Sequence, residues 1–180
     1  MNKIKILDRE FTKSISEETI IKQIDRVAAE INRDMKDENP LFISILNGSF
    51  MFASDLMKRI DFPCEISFVK IASYHGTESS DNVLELIGLK ENLRGRSVVV
   101  VEDIVDSGKT MTQVLEMLRH RGVGRVAIAT LLFKPKALKY NLSIDYAAME
   151  IPNDFIVGYG LDYNGYGRNL KDIYTVVIDE

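Results

Sequence analysis

Three short apolar runs constrain the fold more than any other feature of this chain. LFISIL (41–46), SVVVVED (97–103) and RVAIATLLF (125–133) are almost wholly apolar up to their ends, as strands buried on both faces are. Segments with helical periodicity follow the first two runs, at 49–60 and at 110–122. This alternation predicts an α/β fold, in which a parallel sheet is covered by helices on both sides.

The segments around these units predict one globular domain. Apolar residues at helical spacing predict an amphipathic helix from Glu17 to Asp34, with a capping box that begins at Ser14. Alternation over 65–74 predicts a further strand, whereas the polar segment 74–82 predicts a mobile loop. No Pro/Gly-rich linker divides the 180 residues, so we expect a single domain.

Composition narrows the classes of protein to which this chain can belong. Cys64 is the only cysteine, which excludes an intramolecular disulfide, and two histidines give little support to a histidine-rich metal site. The formal net charge of −4 disfavours nucleic acid as a partner. We find neither a secretory signal nor a run of about 20 apolar residues. We therefore expect a cytoplasmic protein with no membrane partner.

The second apolar run leads into the motif VVVVEDIVDSGKT, which extends from Val98 to Thr110. Open parallel sheets bind ligands at the carboxyl ends of their strands, where we expect Glu102 and Asp103. The loop that starts at Asp106 opens a helix, so its backbone N–H groups and two hydroxyls can converge on an anion. The motif is therefore suited to a phosphate in the loop and to polyol or metal contacts at the two acids.

The SGKT at the end of this motif also suggests a nucleotide-triphosphate P-loop. That motif needs a glycine five residues before Gly108, where this chain has Asp103. A carboxylate inside a phosphate cradle would repel the phosphate. We therefore disfavour the P-loop interpretation.

The motif VVVVEDIVDSGKT resembles the phosphoribosyl-pyrophosphate binding motif of type I phosphoribosyltransferases. The chain from about Ile4 onward resembles the hypoxanthine-guanine phosphoribosyltransferases, through LLFKP, FIVGYGLDYN and ASYHGT in the order of the family. The resemblance implies one phosphoribosyltransferase domain over 1–180, with a small hood from about 1–15 and 145–180. It also implies a purine salvage transferase that moves 5-phosphoribose from phosphoribosyl pyrophosphate to N9 of hypoxanthine, and also of guanine, giving IMP or GMP and pyrophosphate.

The same resemblance assigns roles to the residues of the motif. Glu102 and Asp103 match acids that bind the ribose hydroxyls, directly or through Mg²⁺, and Asp106 matches the catalytic acid/base near N7 of the purine. The following loop matches the 5′-phosphate site, which comprises the amides of Asp106, Ser107, Gly108, Lys109 and Thr110. Two structural alternatives stay open, namely a solvent-facing acidic strand end and a helix-capping aspartate.

A second loop matches the family's pyrophosphate site. Leu46, Asn47 and Gly48 occupy this position, and the resemblance implies a cis peptide bond between the first two. Many members have lysine where this chain has Asn47, so a lysine-dependent contact is in doubt. Arg168 matches an arginine that reaches pyrophosphate. An ordinary Asn-Gly turn and a surface arginine are the structural alternatives.

The purine site is implied by residues near the end of the chain. Lys134 matches a donor to the exocyclic O6, Phe155 an aromatic that stacks on the base, and Ile156 a neighbour whose main chain reads the base edge. Asp162 matches a carboxylate close to the base and Mg²⁺, so the implied metal ligands are Glu102, Asp103 and Asp162. A solvated lysine and a core phenylalanine are the structural alternatives.

Two further implications concern closure and assembly. Ser73 and Tyr74 match the start of a mobile loop that folds over the site and excludes water, although a merely disordered loop is the alternative. The resemblance also implies a homodimer or homotetramer.

Two rival functions stay open at this point. One is a transferase that prefers xanthine or guanine, because the sequence does not rank the 6-oxopurines. The other is a regulator that senses phosphoribosyl pyrophosphate and binds nucleic acid. Such a regulator would be expected to show a basic face or an added binding element.

Overall fold

A computed structural model of the chain describes residues 2–75 and 82–178, with the backbone alone for 72–75 and 82–86. One sheet contains the strands β3 (Leu41–Leu46), β4 (Glu65–His75), β5 (Asn82–Ile87), β6 (Ser97–Val105), β7 (Arg125–Phe133) and β8 (Tyr146–Glu150). A smaller sheet, called the hood here, contains the strands β1 (Lys3–Ile6), β2 (Arg9–Ile15), β9 (Ile156–Val157) and β10 (Ile173–Val176). The helices are α1 (Glu17–Met35), α2 (Phe50–Met57) and α3 (Lys109–His120), and a 3₁₀ turn covers Pro135–Ala137.

The core sheet has the order β5-β4-β3-β6-β7-β8, and it is parallel except for β5. The first and third predicted strands are confirmed at 41–46 and 125–133. The strand predicted over 97–103 continues to Val105, because Ile104 and Val105 pair with β7. Glu102 and Asp103 consequently lie among the last four residues of the strand and not beyond its end.

Helices cover both faces of this sheet, as predicted. Val98 to Val101 are all fully buried, and alternate members face opposite layers. Val99 and Val101 join the cluster packed under α1 and α2, whereas Val98 and Val100 join the cluster packed under α3. An all-apolar run is therefore needed in β6, since neither of its faces meets water.

Helix α1 begins at Glu17, as predicted, but its N-cap differs from the prediction. The N-cap is Ser16, whose hydroxyl accepts a hydrogen bond from the Thr19 N–H at 3.2 Å. Ser14, which the sequence predicted as the start of a capping box, lies in β2 and donates to the Ile173 carbonyl. The predicted capping box is therefore wrong, because pairing with the hood takes Ser14 out of the helix. The other two helices differ from their predicted ends by a few residues, with α2 ending at 57 and α3 beginning at 109.

The hood joins the two ends of the chain into one antiparallel sheet in the order β1-β2-β10-β9. Phe11, Val157 and Tyr174 form its buried centre. β8 lies within the range predicted for the hood, yet it pairs with β7 in the core sheet. The hood strands from the second half of the chain therefore begin at Ile156.

Within residues 2–75 and 82–178, no helix combines the length and the apolar character that crossing a membrane requires.

Candidate active site

Two acids stand side by side at the carboxyl end of β6. The Glu102 carboxylate accepts a hydrogen bond from the Asp103 N–H at 3.0 Å, and the Asp103 carboxylate accepts one from the Ile104 N–H at 2.8 Å. Glu102 is only 9% exposed. Burial, together with the charge of Asp103, raises the pKa of Glu102 well above its usual range. The pair is therefore a site where a cation or hydroxyl donors would be bound favourably.

The loop after β3 meets these acids directly. The peptide bond between Leu46 and Asn47 is cis, as the family resemblance implied. A Cβ atom added to Gly48 would overlap the Asp103 carboxylate, so only glycine fits at this position. The structure thereby places the predicted pyrophosphate loop against the predicted ribose site.

The loop that follows β6 forms a small cavity at the start of α3. The cavity has a volume of about 110 Å³ and is lined by Glu102, Ile104, Val105, Asp106, Ser107, Gly108, Thr110 and Met111. Gly108 is the N-cap of α3 with a φ of +86°, which favours glycine. The loop leads directly into the 12-residue helix α3, so it lies at the positive N-terminal end of the helix dipole. The arrangement is suited to a phosphate-sized anion.

A larger cavity of about 520 Å³ brings the predicted pyrophosphate residues together. It is lined by Leu46, Asn47, Phe50, Gly165, Tyr166, Gly167, Arg168 and Asn169. Arg168 is held by a hydrogen bond to the Gly160 carbonyl at 2.8 Å and by an ion pair with Asp162 at 2.6 Å. Two contacts thus orient the guanidinium, and Arg168 lines the same cavity as Asn47.

Lys134 is a nearly buried cation at the end of β7, with 7% of its surface exposed. Its Nζ donates to the Asp154 carbonyl at 2.9 Å and lies 3.5 Å from Asp106 Oδ2. The Asp106 side chain is about half exposed. The structure therefore brings together the residues predicted as the O6 donor and as the acid/base.

Phe155 belongs to an aromatic cluster next to the hood, and its side chain is 42% exposed. Its ring centroid is 5.8 Å from that of Tyr163, at nearly perpendicular planes, and 6.3 Å from that of Phe11. The Arg9 guanidinium lies 5.9 Å from the Phe155 centroid and 5.2 Å from the Tyr163 centroid, within the range of a cation–π contact. These contacts hold the Phe155 ring in place, and its exposed part remains accessible to a planar ligand.

The remaining base-side residues lie on the same segment. Ile156 is buried in β9, where it pairs with Thr175. Asp162 accepts from the Gly165 N–H at 2.6 Å, in addition to its ion pair with Arg168. In the described part of the chain, no three Asp, Glu, His or Cys side chains converge on a common metal site. The three predicted metal ligands thus do not form a complete cage by themselves.

The predicted mobile loop lies partly outside the described residues, because 76–81 are not described. The backbones of Ser73 and Tyr74 lie in β4 and pair with residues 84 and 83 of β5. Their role in closure stays a prediction.

Several residues that line the site were not predicted from the sequence. Arg9 and Phe11 lie more than 140 positions from Phe155, and no local pattern links them to it. Tyr163 stands inside the FIVGYGLDYN motif, so its position in that motif was the available signal. Tyr166 and Asn169 follow in the same glycine-rich segment.

Comparisons with known proteins identify the family and the fold. Residues 12–164 match the model of the phosphoribosyl transferase domain family. The chain is 40% identical over 166 residues to the hypoxanthine-guanine phosphoribosyltransferase of Streptococcus pyogenes, covering 92% of this chain and 91% of that protein. It is 41% identical, with the same coverage, to the enzyme of that name from Streptococcus mutans. A solved hypoxanthine phosphoribosyltransferase from Staphylococcus aureus superposes with a TM-score of 0.84 at 36% identity, covering 92% of this chain and 90% of that chain.

Proposed function

Because the chain belongs to the phosphoribosyltransferase family, we propose that it is a purine salvage enzyme whose site is the one described above. The enzyme transfers 5-phosphoribose from phosphoribosyl pyrophosphate to N9 of hypoxanthine or guanine and releases pyrophosphate. The observation that supports this assignment most strongly is the contact of Lys134 with Asp106. In a 6-oxopurine, O6 and N7 lie on the same edge, so one donor and one proton acceptor at this separation can read that edge together.

Asp106 manages the proton of the reaction. The bond between ribose C1′ and the diphosphate oxygen breaks, and a bond from purine N9 to C1′ forms. The purine then has one proton in excess, which the Asp106 carboxylate accepts at N7. Its negative charge also favours the positive charge that develops on the ribose.

Lys134 selects the base. An ammonium group has donors only, so it can bind the O6 carbonyl of hypoxanthine or guanine but not the amino group of adenine. Its burial strengthens this discrimination, because a mismatched base leaves one N–H of the buried ammonium without an acceptor. Phe155 stacks on the ring, and the backbone next to Ile156 faces the base edge.

The diphosphate side is assigned to the loops after β3 and β6. The amides of 106–110 bind the 5′-phosphate at the N-terminus of α3, and the loop 46–48 with Arg168 binds the diphosphate. Asn47 is neutral where many relatives have lysine, so in this chain Arg168 supplies the side-chain cation on that side of the cavity.

The acids at the site fit a magnesium ion. Mg²⁺ prefers oxygen ligands, and it is commonly held by one or two carboxylates together with substrate phosphates and waters. Glu102 and Asp103 supply such carboxylates, and Asp162 is a further candidate. The lack of a complete three-acid cluster among the described residues agrees with this mode. When bound, the ion neutralises and orients the departing diphosphate.

The first test is a steady-state assay with Mg²⁺, phosphoribosyl pyrophosphate and, separately, hypoxanthine, guanine, xanthine and adenine. We expect nucleotide formation from the 6-oxopurines and none from adenine. Asp106→Asn should lower kcat by about 10²- to 10⁴-fold, the usual contribution of a general acid or base. Asp37→Asn, at an exposed position just after α1, is the matched control and should leave kcat unchanged.

Other results of this assay would redirect the assignment. Turnover confined to xanthine or guanine would identify a transferase with that preference. If phosphoribosyl pyrophosphate bound without turnover of any base, the chain would be better described as a regulator, and salt-dependent nucleic-acid binding would then be measured.

Light scattering would test the prediction of a homodimer or homotetramer. The single Cys64 is typical of a protein in a reducing compartment, which supports a cytoplasmic location.

A further inference from the structure

Tyr159 occupies an unusual position between the two halves of the site. Its side chain is only 1% exposed, and its backbone has a φ of +48° between two glycines of positive φ, Gly158 and Gly160. An added Cβ at Gly160 would overlap the Gly48 carbonyl, and one at Gly158 would overlap the Asp172 carbonyl. The chain around Tyr159 is thus pressed against the pyrophosphate loop on one side and the hood on the other.

The buried phenol of Tyr159 reaches across to α2. It donates a hydrogen bond to the Asp55 carboxylate, whose other oxygen accepts from Lys58 at 2.8 Å. Burial would raise the pKa of Asp55, yet the hydrogen bonds from Lys58 and Tyr159 hold it below its ordinary value. Burial and the Asp55 carboxylate together raise the pKa of Tyr159, so the phenol stays a donor. Asp55 is therefore a charged and well-oriented acceptor.

The two partners stand on segments that carry diphosphate-side groups. Asp55 lies in α2, which begins at Phe50 directly after the loop 46–49. On the other segment, the Tyr159 N–H donates to the Leu170 carbonyl at 2.8 Å, and the Gly160 carbonyl accepts from Arg168 at 2.8 Å. The hydrogen bond of Tyr159 thus connects the support of Arg168 to the helix that supports the pyrophosphate loop.

We propose that Tyr159 and Asp55 are a positioning pair that sets the separation between the pyrophosphate loop and the segment 158–168. Neither side chain is assigned a contact with substrate. The pair acts through Arg168 and Asp162 on one side and through the loop 46–49 on the other. It therefore governs binding of the diphosphate of phosphoribosyl pyrophosphate and has little effect on binding of the base. This inference rests on the proposed function.

The test is Tyr159→Phe, which removes one hydroxyl and keeps the buried ring. The KM for phosphoribosyl pyrophosphate should rise by about five-fold, the size expected for loss of one hydrogen bond. The KM for hypoxanthine should change by less than about two-fold on the same reasoning. Calorimetric titration with inorganic pyrophosphate and Mg²⁺, in the absence of base, should show the same weakening.

Tyr146→Phe is the matched control. Tyr146 is also a buried tyrosine, 4% exposed, whose phenol donates to an aspartate, Asp34, at 3.3 Å. It is the first residue of β8, which is parallel to β7, so it lies at the amino end of its strand, whereas the site lies at the carboxyl ends of the parallel strands. Loss of its hydroxyl should lower the melting temperature and leave both KM values unchanged.

Variants of Asp55 complete a double-mutant cycle. Asp55→Asn keeps an oxygen that accepts from the phenol and should largely preserve pyrophosphate binding. Asp55→Ala should reproduce the Tyr159→Phe effect, and the double variant should be no worse than the more affected single variant. Additive losses in the cycle would overturn the pairing.

Two further results would count against the proposal in different ways. If Tyr159→Phe lowers the melting temperature as Tyr146→Phe does but leaves both KM values unchanged, the pair is purely structural. If the wild-type protein neither turns over a 6-oxopurine nor binds pyrophosphate, the proposed function fails and the positioning role fails with it. The first result appears only in the variant and the second already in the wild type, so the two failures are distinguishable.

Discussion

The proposed diphosphate side and the proposed base side of the site are built in different ways. The diphosphate side uses two short stretches at the ends of neighbouring parallel strands of the core sheet, 46–48 and 102–110, together with Arg168 from near the end of the chain. The base side gathers Arg9 and Phe11 from the start of the chain and Phe155 and Tyr163 from near its end, through the antiparallel hood.

This difference separates local from long-range information. A phosphate loop is made of backbone amides and a helix terminus, so a few consecutive residues encode it. An aromatic platform needs packing partners, and these come from wherever the fold brings them. The two sides meet at Gly48, which contacts Asp103 and Gly160.

Among the tests of this comparison, the largest effect is expected from substitution at Gly48, where the two sides meet. Gly48→Ala would place a methyl group on the Asp103 carboxylate, so the pyrophosphate loop and the ribose site must move apart. We expect kcat/KM for phosphoribosyl pyrophosphate to fall by about 100-fold, because a displacement near 1 Å has that cost in a positioned site. Steady-state kinetics with varied phosphoribosyl pyrophosphate measure this loss.

Gly95→Ala is the control for the Gly48 variant. Gly95 has a φ of +73° and no atom within 4 Å of an added Cβ, so its substitution strains the backbone without disturbing a neighbour. It should lower stability by about 1 kcal/mol and leave kinetics unchanged. Equal kinetic losses in both variants would show that general destabilisation, and not the contact at Asp103, explains the effect.

The next effect separates the two sides. Lys134→Met keeps the length of the side chain and removes the donor, so the KM for hypoxanthine should rise by about 10- to 100-fold, as for loss of a hydrogen bond from a charged group. The KM for phosphoribosyl pyrophosphate should change little. Lys136→Met, in the exposed 3₁₀ turn, is the control. A similar rise in both KM values would contradict the proposed division of the site into a base side and a diphosphate side.

The smallest effect concerns the connection between hood and core. The Asp172 carboxylate accepts from the Glu17 N–H at the start of α1, at 2.8 Å, and lies 3.4 Å from Lys13. The Glu17 N–H, followed by Lys13, lowers the pKa of Asp172 below its ordinary value of 3.8, although partial burial opposes this shift. The ionised form therefore stabilises the folded state above that ordinary value, and this contribution is lost as the pH falls through the lowered pKa.

Asp172→Asn should accordingly reduce the free energy of unfolding by about 1 kcal/mol at neutral pH. The difference from the wild type should shrink on acidification below 3.8, the ordinary value of the carboxyl. Urea titrations across this range measure it. Asp37→Asn, on the surface, is the control. A difference that stays constant with pH would mean that the charge of Asp172 does not connect hood and core.

Some features of the fold followed directly from local pattern. The strands 41–46 and 125–133 have the predicted bounds, because wholly apolar runs between turn signals have few other ways to be buried. The order of motifs also predicted the family, which the comparisons confirm. The loop 106–110 stands at the start of α3, where its residue types indicated a phosphate site.

Other features required the folded chain. Ser14 was predicted as part of a helix cap, but it lies in β2 of the hood, where its hydroxyl donates to the Ile173 carbonyl. The end of β6 depends on pairing with β7, which no single-strand pattern shows. Arg9 became part of the base side only when β2 was placed beside β10.

The sequence by itself determined the alternating α/β core, the phosphate loop and the family, because these depend on periodicity and on consecutive residues. Only the tertiary structure decided which side chains support Phe155, how Tyr159 joins α2, and why position 48 must be glycine. These contacts join residues far apart in the chain, and their energies depend on distance in space. They become visible only when the strands have been placed beside one another.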